Sequence, residues 1–329
     1  MKKIDKMKLN LLTGIIFGVS LYIFVPFSYA YNDKGYFSER ERVINKTLCQ
    51  FDLDQSHVSS TDSEYTSEYT YEAPKSSTKH TWELGAEISH ITYKEPGLMK
   101  DEGTMRGIIC SYTYQGWAPP APRELDKWRL TLEVRYSCGE VDYEGALQDG
   151  TPYEIDNIDD YVWEVRGLIG YDFPQFKAST IIPYFGFGYR YLNDDPSHDP
   201  AGYQRESNYY YSPVGVKFVT DLGTGWSIGA TLEYDILWSG KQKTYLSDID
   251  QGFNDPVNDQ QRGYGCRASL ELQKKYRLLD FAIEPFIRYW NIRDSDIVPI
   301  TYDGVPTGWG AVEPENNSTE YGIKVGVRF

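Results

Sequence analysis

Three places in the 329-residue chain bring together side chains able to do chemistry. The stretch Asn193–Pro200 (NDDPSHDP) sets His198 beside Asp194, Asp195 and Asp199. A carboxylate next to an imidazole can make it a general base. Pro196 and Pro200 frame the segment as a turn, so the plain alternative is a solvated acidic loop. A second pair, Ser89–His90, has the residue types of a hydrolase dyad, but neighbours on a strand point to opposite faces and cannot meet directly. Third, Asp52-x-Asp54-x-Ser56 opens like a calcium loop, yet His57 stands where the sharp turn needs Gly and Ser63 where Glu is needed. Further carboxylates gather at Asp156, Asp159 and Asp160, at Asp248, Asp250 and Asp255, and at Asp294 and Asp296, with no diagnostic spacing. Solvation of an acidic surface is the first reading of them and weak cation binding the second. No glycine loop precedes a helix to cradle phosphate. No catalytic, cofactor-binding or metal-ligating residue is assigned, no cofactor is expected, and the chain is read as a non-enzyme.

What positions these residues begins with the first thirty. Lys2, Lys3, Lys6 and Lys8 precede an apolar run from Leu9 to Phe27, followed by Ser28-Tyr29-Ala30 with small residues at the −3 and −1 positions. This is the pattern of a secretory signal peptide over residues 1–30, an uncleaved anchor being the alternative. Residues 31–79 are rich in Ser, Thr and Glu, as in SSTDSEYTSEYTYEAPKSSTKH, with one short helix expected in ERVINKTLCQF. Too little apolar surface for a core reads as a poorly structured periplasmic extension or partial plug.

From about residue 80 to 329 the chain alternates with period two, the strand signature. Ten segments are expected, near 80–93, 103–116, 127–142, 160–173, 178–192, 206–220, 225–238, 261–274, 278–292 and 317–329. Each exceeds the roughly 9–11 residues that a tilted strand needs to cross hydrocarbon. Most connections alternate short and long, the long ones being Lys94–Glu102, Glu144–Asp159, Asn193–Arg205, Ser239–Gln260 and Arg293–Asn316. That rhythm, with Trp and Tyr at the ends of the apolar faces, indicates an all-β, transmembrane, antiparallel up-and-down β-barrel. Mean hydropathy of −0.53 does not oppose it, because lipid-facing residues occupy every second position only. A formal charge of −15 argues against nucleic acid as a partner. Cys110 and Cys138 fall on neighbouring strands, and either a disulfide or isolated thiols fits their spacing.

The final segment YGIKVGVRF resembles the C-terminal β-signal of bacterial outer-membrane proteins. The resemblance implies that Tyr321, Ile323, Val325, Val327 and Phe329 form a face read by the barrel-assembly machinery. More broadly, YFGFGYRYLNDD, GKQKTYLSDID, EPFIRYW and NNSTEYGIKVGVRF make Thr81–Phe329 look like the uncharacterised, porin-like outer-membrane barrel proteins of Gram-negative bacteria. The likeness implies a cell outer-membrane location after export, with lipid and lipopolysaccharide as neighbours. Ten-stranded barrels also include the omptin proteases, which pair His with carboxylates at the outer rim. No second acidic pair beside His198 matches that family's motif.

If the apolar faces meet lipid, the opposite faces line the lumen. They hold Glu83, Glu87, Glu133, Glu164, Glu233, Asp235, Glu271, Glu284 and Glu320, with Arg129, Arg135, Arg166, Arg190, Lys217, Arg267, Arg288, Lys324 and Arg328. Near-equal signs in a narrow tube point to ion pairs, with Glu133, Arg135, Glu164, Arg166, Arg190, Glu233, Arg267, Glu271, Glu284 and Arg288 the candidates. The leading functional reading is a barrel with a structural or surface-interaction role through long acidic outer loops. A narrow porin-like channel for ions or small solutes is the second, and a rim-site protease the third.

Overall fold

Runs rich in Tyr, Val, Ile and Trp at alternate positions favour extended chain, because branched and aromatic side chains pack well on a pleated surface. In the computed structural model, which describes residues 79–116, 127–146, 150–176, 178–200 and 202–329, these runs become strands numbered in chain order. Ten are long: β1 (Lys79–Glu95), β2 (Met99–Gln115), β3 (Trp128–Ala146), β4 (Pro152–Tyr171), β6 (Ser179–Asp195), β7 (Arg205–Gly223), β8 (Trp226–Thr244), β10 (Gly263–Tyr276), β11 (Leu279–Ile292) and β14 (Asn316–Arg328). Short β5 (Phe173–Phe176) extends the pairing of β6, and short β9 (Val257–Gln260) pairs with β8. A separate hairpin is made by β12 (Val298–Tyr302) and β13 (Val305–Ala311). The signal-peptide, extension and calcium-like segments of the sequence lie outside the described residues.

The long strands pair antiparallel in chain order, and β14 closes the ring on β1 through Glu83↔Arg328, Ser89↔Gly322 and Lys94↔Asn317. The result is a closed, ten-stranded, up-and-down barrel. Trp82 and Phe329 exchange backbone hydrogen bonds at 2.9 and 3.0 Å, so the closing strand is paired to its end. Tyr321, Ile323, Val325, Val327 and Phe329 share its outward face, while both edges of β14 are zipped to β1 and β11.

Several strands run further than the alternation suggested. β4 begins at Pro152 and β8 continues to Thr244. The connection expected over Lys94–Glu102 is only the turn Pro96–Leu98, closed by the Leu98 amide donating to the Glu95 carbonyl at 2.9 Å. The cause is visible at these ends, where outward residues such as Glu102, Glu140 and Asp159 are polar and the two-faced signal fades. At about 3.3 Å per residue and a tilt near 40°, the 19 residues of β3 rise about 48 Å, well beyond the roughly 30 Å of bilayer hydrocarbon.

The barrel is apolar outside and charged inside. Leu232 is 58% exposed while its neighbour Glu233 is 7% exposed, and Leu84, Ile88, Ile108, Leu270, Ile283 and Ile323 repeat the outward pattern. Aromatic pairs bound this apolar girdle. Near the short turns are Trp82–Tyr112, Trp128–Tyr171 and Tyr171–Phe173, with ring centroids 4.6–5.3 Å apart. Towards the long loops are Trp163–Tyr189, Tyr189–Tyr210 and Phe187–Trp238, at 4.8–5.3 Å.

Register settles the cysteines. Cys110 stands opposite Val134 and Cys138 opposite Arg106, so the two thiols are four residues apart along the ladder, about 13 Å. A disulfide needs Cα atoms within about 7 Å, and both are free thiols.

Candidate functional site: the filled lumen

An ionised side chain inside a barrel must find a partner of opposite charge, because leaving one unpaired in a low-dielectric interior costs several kcal/mol. Inward positions on ten strands supply those partners at successive heights. Nearest the short turns, Arg328 holds Glu83 at 2.6 Å and also Glu271, while Arg129 binds Asp172 at 2.9 Å. Just above, Lys324 bridges Glu83 at 3.1 Å and Glu284 at 2.5 Å, and Lys217 reaches Glu271 at 3.1 Å.

At mid-height the pairs cross the tube. Arg267 on β10 binds Glu164 on β4 at 2.6 Å, four strands away round the ring, and also Asp235 at 2.8 Å and Glu233 at 3.1 Å. Arg166 joins Glu133 at 2.8 Å to Glu233 at 2.6 Å, with Tyr184 donating to the same Glu233 at 2.8 Å. Arg135 binds Glu87 at 2.6 Å and Glu320, and Arg288 repeats both contacts at 3.0 and 3.3 Å. A cavity lined by Arg135, Glu164, Arg190, Arg267, Arg288 and Glu320 measures about 10 Å³, room for one water.

All ten lumen candidates face inward. Nine join ion pairs, and Arg190 behaves differently: among the described residues no carboxylate lies within ion-pair distance, and its guanidinium rests 5.4 Å over the Trp290 ring. Cation–π contact with an indole is a substitute for a counter-ion in such a place.

Two further layers were not legible as a site. Tyr211 and Tyr184 lie across the lumen only because glycines face them: a Cβ on Gly188 would stand 2.2 Å from the Tyr211 ring, and one on Gly215 would stand 2.4 Å from that of Tyr184. Tyr211 then donates to Glu164 at 2.6 Å. An inward Gly paired with an inward Tyr, as in Gly188↔Tyr211, is the sequence signal that would have revealed them. Above the ion pairs the interior is apolar, with Ile91, Met105, Val141, Ile155, Ile158 and Val162 in one cluster and Tyr209, Tyr211, Leu237, Trp290 and Ile292 in another.

The loop end of the tube is closed by an acidic cup around one cation. Arg205 on β7 reaches Glu95 on β1, diametrically opposite, at 3.1 Å, Asp101 at 3.3 Å and Asp194 at 2.9 Å. Glu313, from the connection between β13 and β14, is drawn in by Tyr93, whose hydroxyl donates to it at 3.0 Å. Burial, opposed by Arg205 and reinforced by Glu95, pushes the Glu313 carboxyl up from 4.5 to about 7.

The residues first considered for chemistry are dispersed. His198 faces the Asp156 carbonyl at 3.2 Å, while Asp199 accepts from Tyr153 at 2.6 Å. Ser89 points inward and donates to Glu320 at 2.7 Å, whereas His90 points outward towards Tyr321. Among the described residues no group of three His, Cys, Asp or Glu side chains is arranged to hold a metal ion.

No protein-family model and no curated protein sequence matches the chain. Solved structures that it resembles include the outer-membrane protease OmpT of Escherichia coli, at 8% identity over 77% of this chain and 95% of that one, with a TM-score of 0.46. The translocator domain of the autotransporter NalP of Neisseria meningitidis follows at 10% identity, 88% and 95% coverage and a TM-score of 0.40. A major outer-membrane protein of Thermus thermophilus gives 13%, 75% and 99%, and 0.35. Likenesses this distant carry no functional argument.

Two outcomes follow from the lumen. Replacing Arg267 by Met leaves Glu164 and Asp235 buried without their guanidinium, and should destabilise the barrel by about 3–5 kcal/mol in denaturant unfolding in detergent. A loss below 1 kcal/mol would mean the pair is hydrated. For Glu313, the folded state binds a proton more tightly than the unfolded chain, so its contribution is complete below about pH 4.5 and fades as pH rises through 7. Amide exchange in residues 293–316 should therefore accelerate between pH 5 and pH 8 beyond the intrinsic pH effect, and Glu313→Gln should remove that excess.

Proposed function

We propose that the chain is an integral barrel of the bacterial outer membrane with a non-conducting lumen, serving a structural or surface-interaction role. The apolar girdle supports a lipid setting, since Leu84, Ile88, Leu232 and Ile323 standing in water would forfeit the hydrophobic free energy of their burial. The aromatic pairs at both margins suit the polar–apolar boundary of a bilayer. The long β6–β7, β8–β10 and β11–β14 connections share one end with the Pro96–Leu98 turn and fit an orientation with those loops, the acidic cup and the β12–β13 hairpin outside the cell. On this reading the chain is no enzyme, and its neighbours are lipid and lipopolysaccharide, with the barrel-assembly machinery engaged during insertion through the outward face of β14.

The single observation behind the closed lumen is the Arg267–Glu164 bridge across the tube, flanked by the Arg135–Glu87–Arg288–Glu320 group. Ten strands leave an interior only modestly wider than the eight-stranded kind that side chains fill, far from the sixteen or so of open porins. Such a lumen offers ions no continuous aqueous route. Purified protein reconstituted in planar bilayers should therefore give no stable single-channel steps. Regular steps from wild-type protein would instead establish the narrow-channel alternative.

A further inference from the structure

We infer that the outer ends of β10 and β11 carry a binding site for a phosphate-bearing lipid headgroup, formed by Arg262 and Arg293 above the rings of Tyr264 and Tyr289. The inference rests on the membrane setting proposed above and gives it a specific lipid contact. A groove of about 340 Å³ opens there, lined by Arg262, Gly263, Tyr264, Asn291, Arg293 and Asp294. By volume it exceeds the 10 Å³ lumen cavity many times over. Tyr264 and Asn291 are a cross-strand pair, and strand alternation sends both, with Arg293 two residues further on, to the outer wall rather than the lumen.

The height of the groove fits a headgroup. Tyr264 stacks on Tyr234 with centroids 5.8 Å apart and lies 6.1 Å from Tyr289, continuing the aromatic margin on the loop side of the girdle. The guanidiniums lie two residues beyond Tyr264 in one direction and beyond Asn291 in the other, about 7 Å along the strands. Lipid phosphates begin just beyond an interfacial aromatic belt.

The chemistry of the lining fits phosphate. Guanidinium groups present planar forks of N–H donors that match phosphate oxygens, two at a time. Glu315 orients one side: it takes Arg293 Nη1 at 2.5 Å and Asn291 Nδ2 at 3.1 Å, which leaves most of the five donors of Arg293 free. Among the described residues no side chain or carbonyl accepts from the Arg262 guanidinium, whereas Lys100 is engaged by Glu102 at 2.6 Å and Lys243 by Asp255 at 3.6 Å. With Glu315 on one side of Arg293 and Asp294 in the lining, two arginines stand against two carboxylates, so the fit is to a single phosphate held by the open guanidinium donors and not to a dense polyanion drawn by net charge.

The test counts lipid retained by the folded full chain in detergent, using native mass spectrometry. The probes are bisphosphorylated lipid A, the same lipid with its phosphates removed, and inorganic phosphate as competitor. One bisphosphorylated lipid per chain should be retained, with at least about tenfold less of the dephosphorylated form. Arg262→Ala combined with Arg293→Ala, or Arg262→Gln alone, should lower retention of the phosphorylated lipid towards the dephosphorylated level, while Lys241→Ala, at an exposed lysine of β8 outside the groove and 3.9 Å from Asp259, should not. Folding of each variant is checked by its retarded mobility in unheated gels. Equal retention of the two lipids, or unchanged retention in the double variant, would overturn the site. Displacement by millimolar inorganic phosphate would overturn the lipid source and point to a free anion. Failure of wild-type barrel to insert into bilayers would instead defeat the membrane reading itself.

Discussion

The interior of this barrel depends on one contact across the tube, the cation of Arg267 meeting the Glu164 carboxylate four strands away. Arg267 lies beside Trp290 and Tyr211, where Glu164 and Asp235 balance its charge, and the buried Glu164 carboxylate is balanced in turn by Arg267. Buried pairs of this kind are close to neutral against well-packed apolar alternatives, so they are weak stabilisers and strong constraints. They fix register, because sliding one strand by a residue would send every charge outward into the apolar girdle.

The rest of the interior follows from that constraint. Large side chains must cross the tube to meet, so small ones must stand opposite: Gly188 under Tyr211 and Gly215 under Tyr184. Beyond the charges, Ile158, Val162, Met105 and Trp290 pack as they would in a water-soluble core. That layer separates the balanced ion pairs from the acidic cup, where Arg205 alone serves Glu95, Asp101 and Asp194. The cup is the level where negative charge most outweighs positive, and it sits at the mouth where Glu313 brings in a long connection.

Much of this was legible in the sequence, for a physical reason. Alternation in WSIGATLEYDILW has a strict period, so strand, face and lumen assignment of Glu233 and Asp235 follow from parity alone. Parity also separates Ser89 from His90. What it cannot report is distance round the ring. That Arg267 meets Glu164 but Arg190 rests on Trp290 depends on tilt and on rotamers, not on order along the chain. At the outer ends both faces are polar, so the alternation over Lys94–Glu102 reads as a loop although β1 runs to Glu95 and β2 starts at Met99. The apolar interior layer escaped because Ile158 and Val162 carry the chemistry of lipid-facing residues on the lumen face.

The most direct measurement of the closed lumen is the reactivity of a thiol placed inside it. Ser137 on β3 faces inward, is 0% exposed and lies two residues from Arg135, so Ser137→Cys in a background free of native cysteines samples the filled stretch of the tube. In liposome-embedded protein, a small charged methanethiosulfonate reagent should leave this thiol unmodified over minutes, while a Thr307→Cys control on the exposed β13 strand reacts within seconds. Modification of both at similar rates would show a water-filled lumen and contradict the closed barrel.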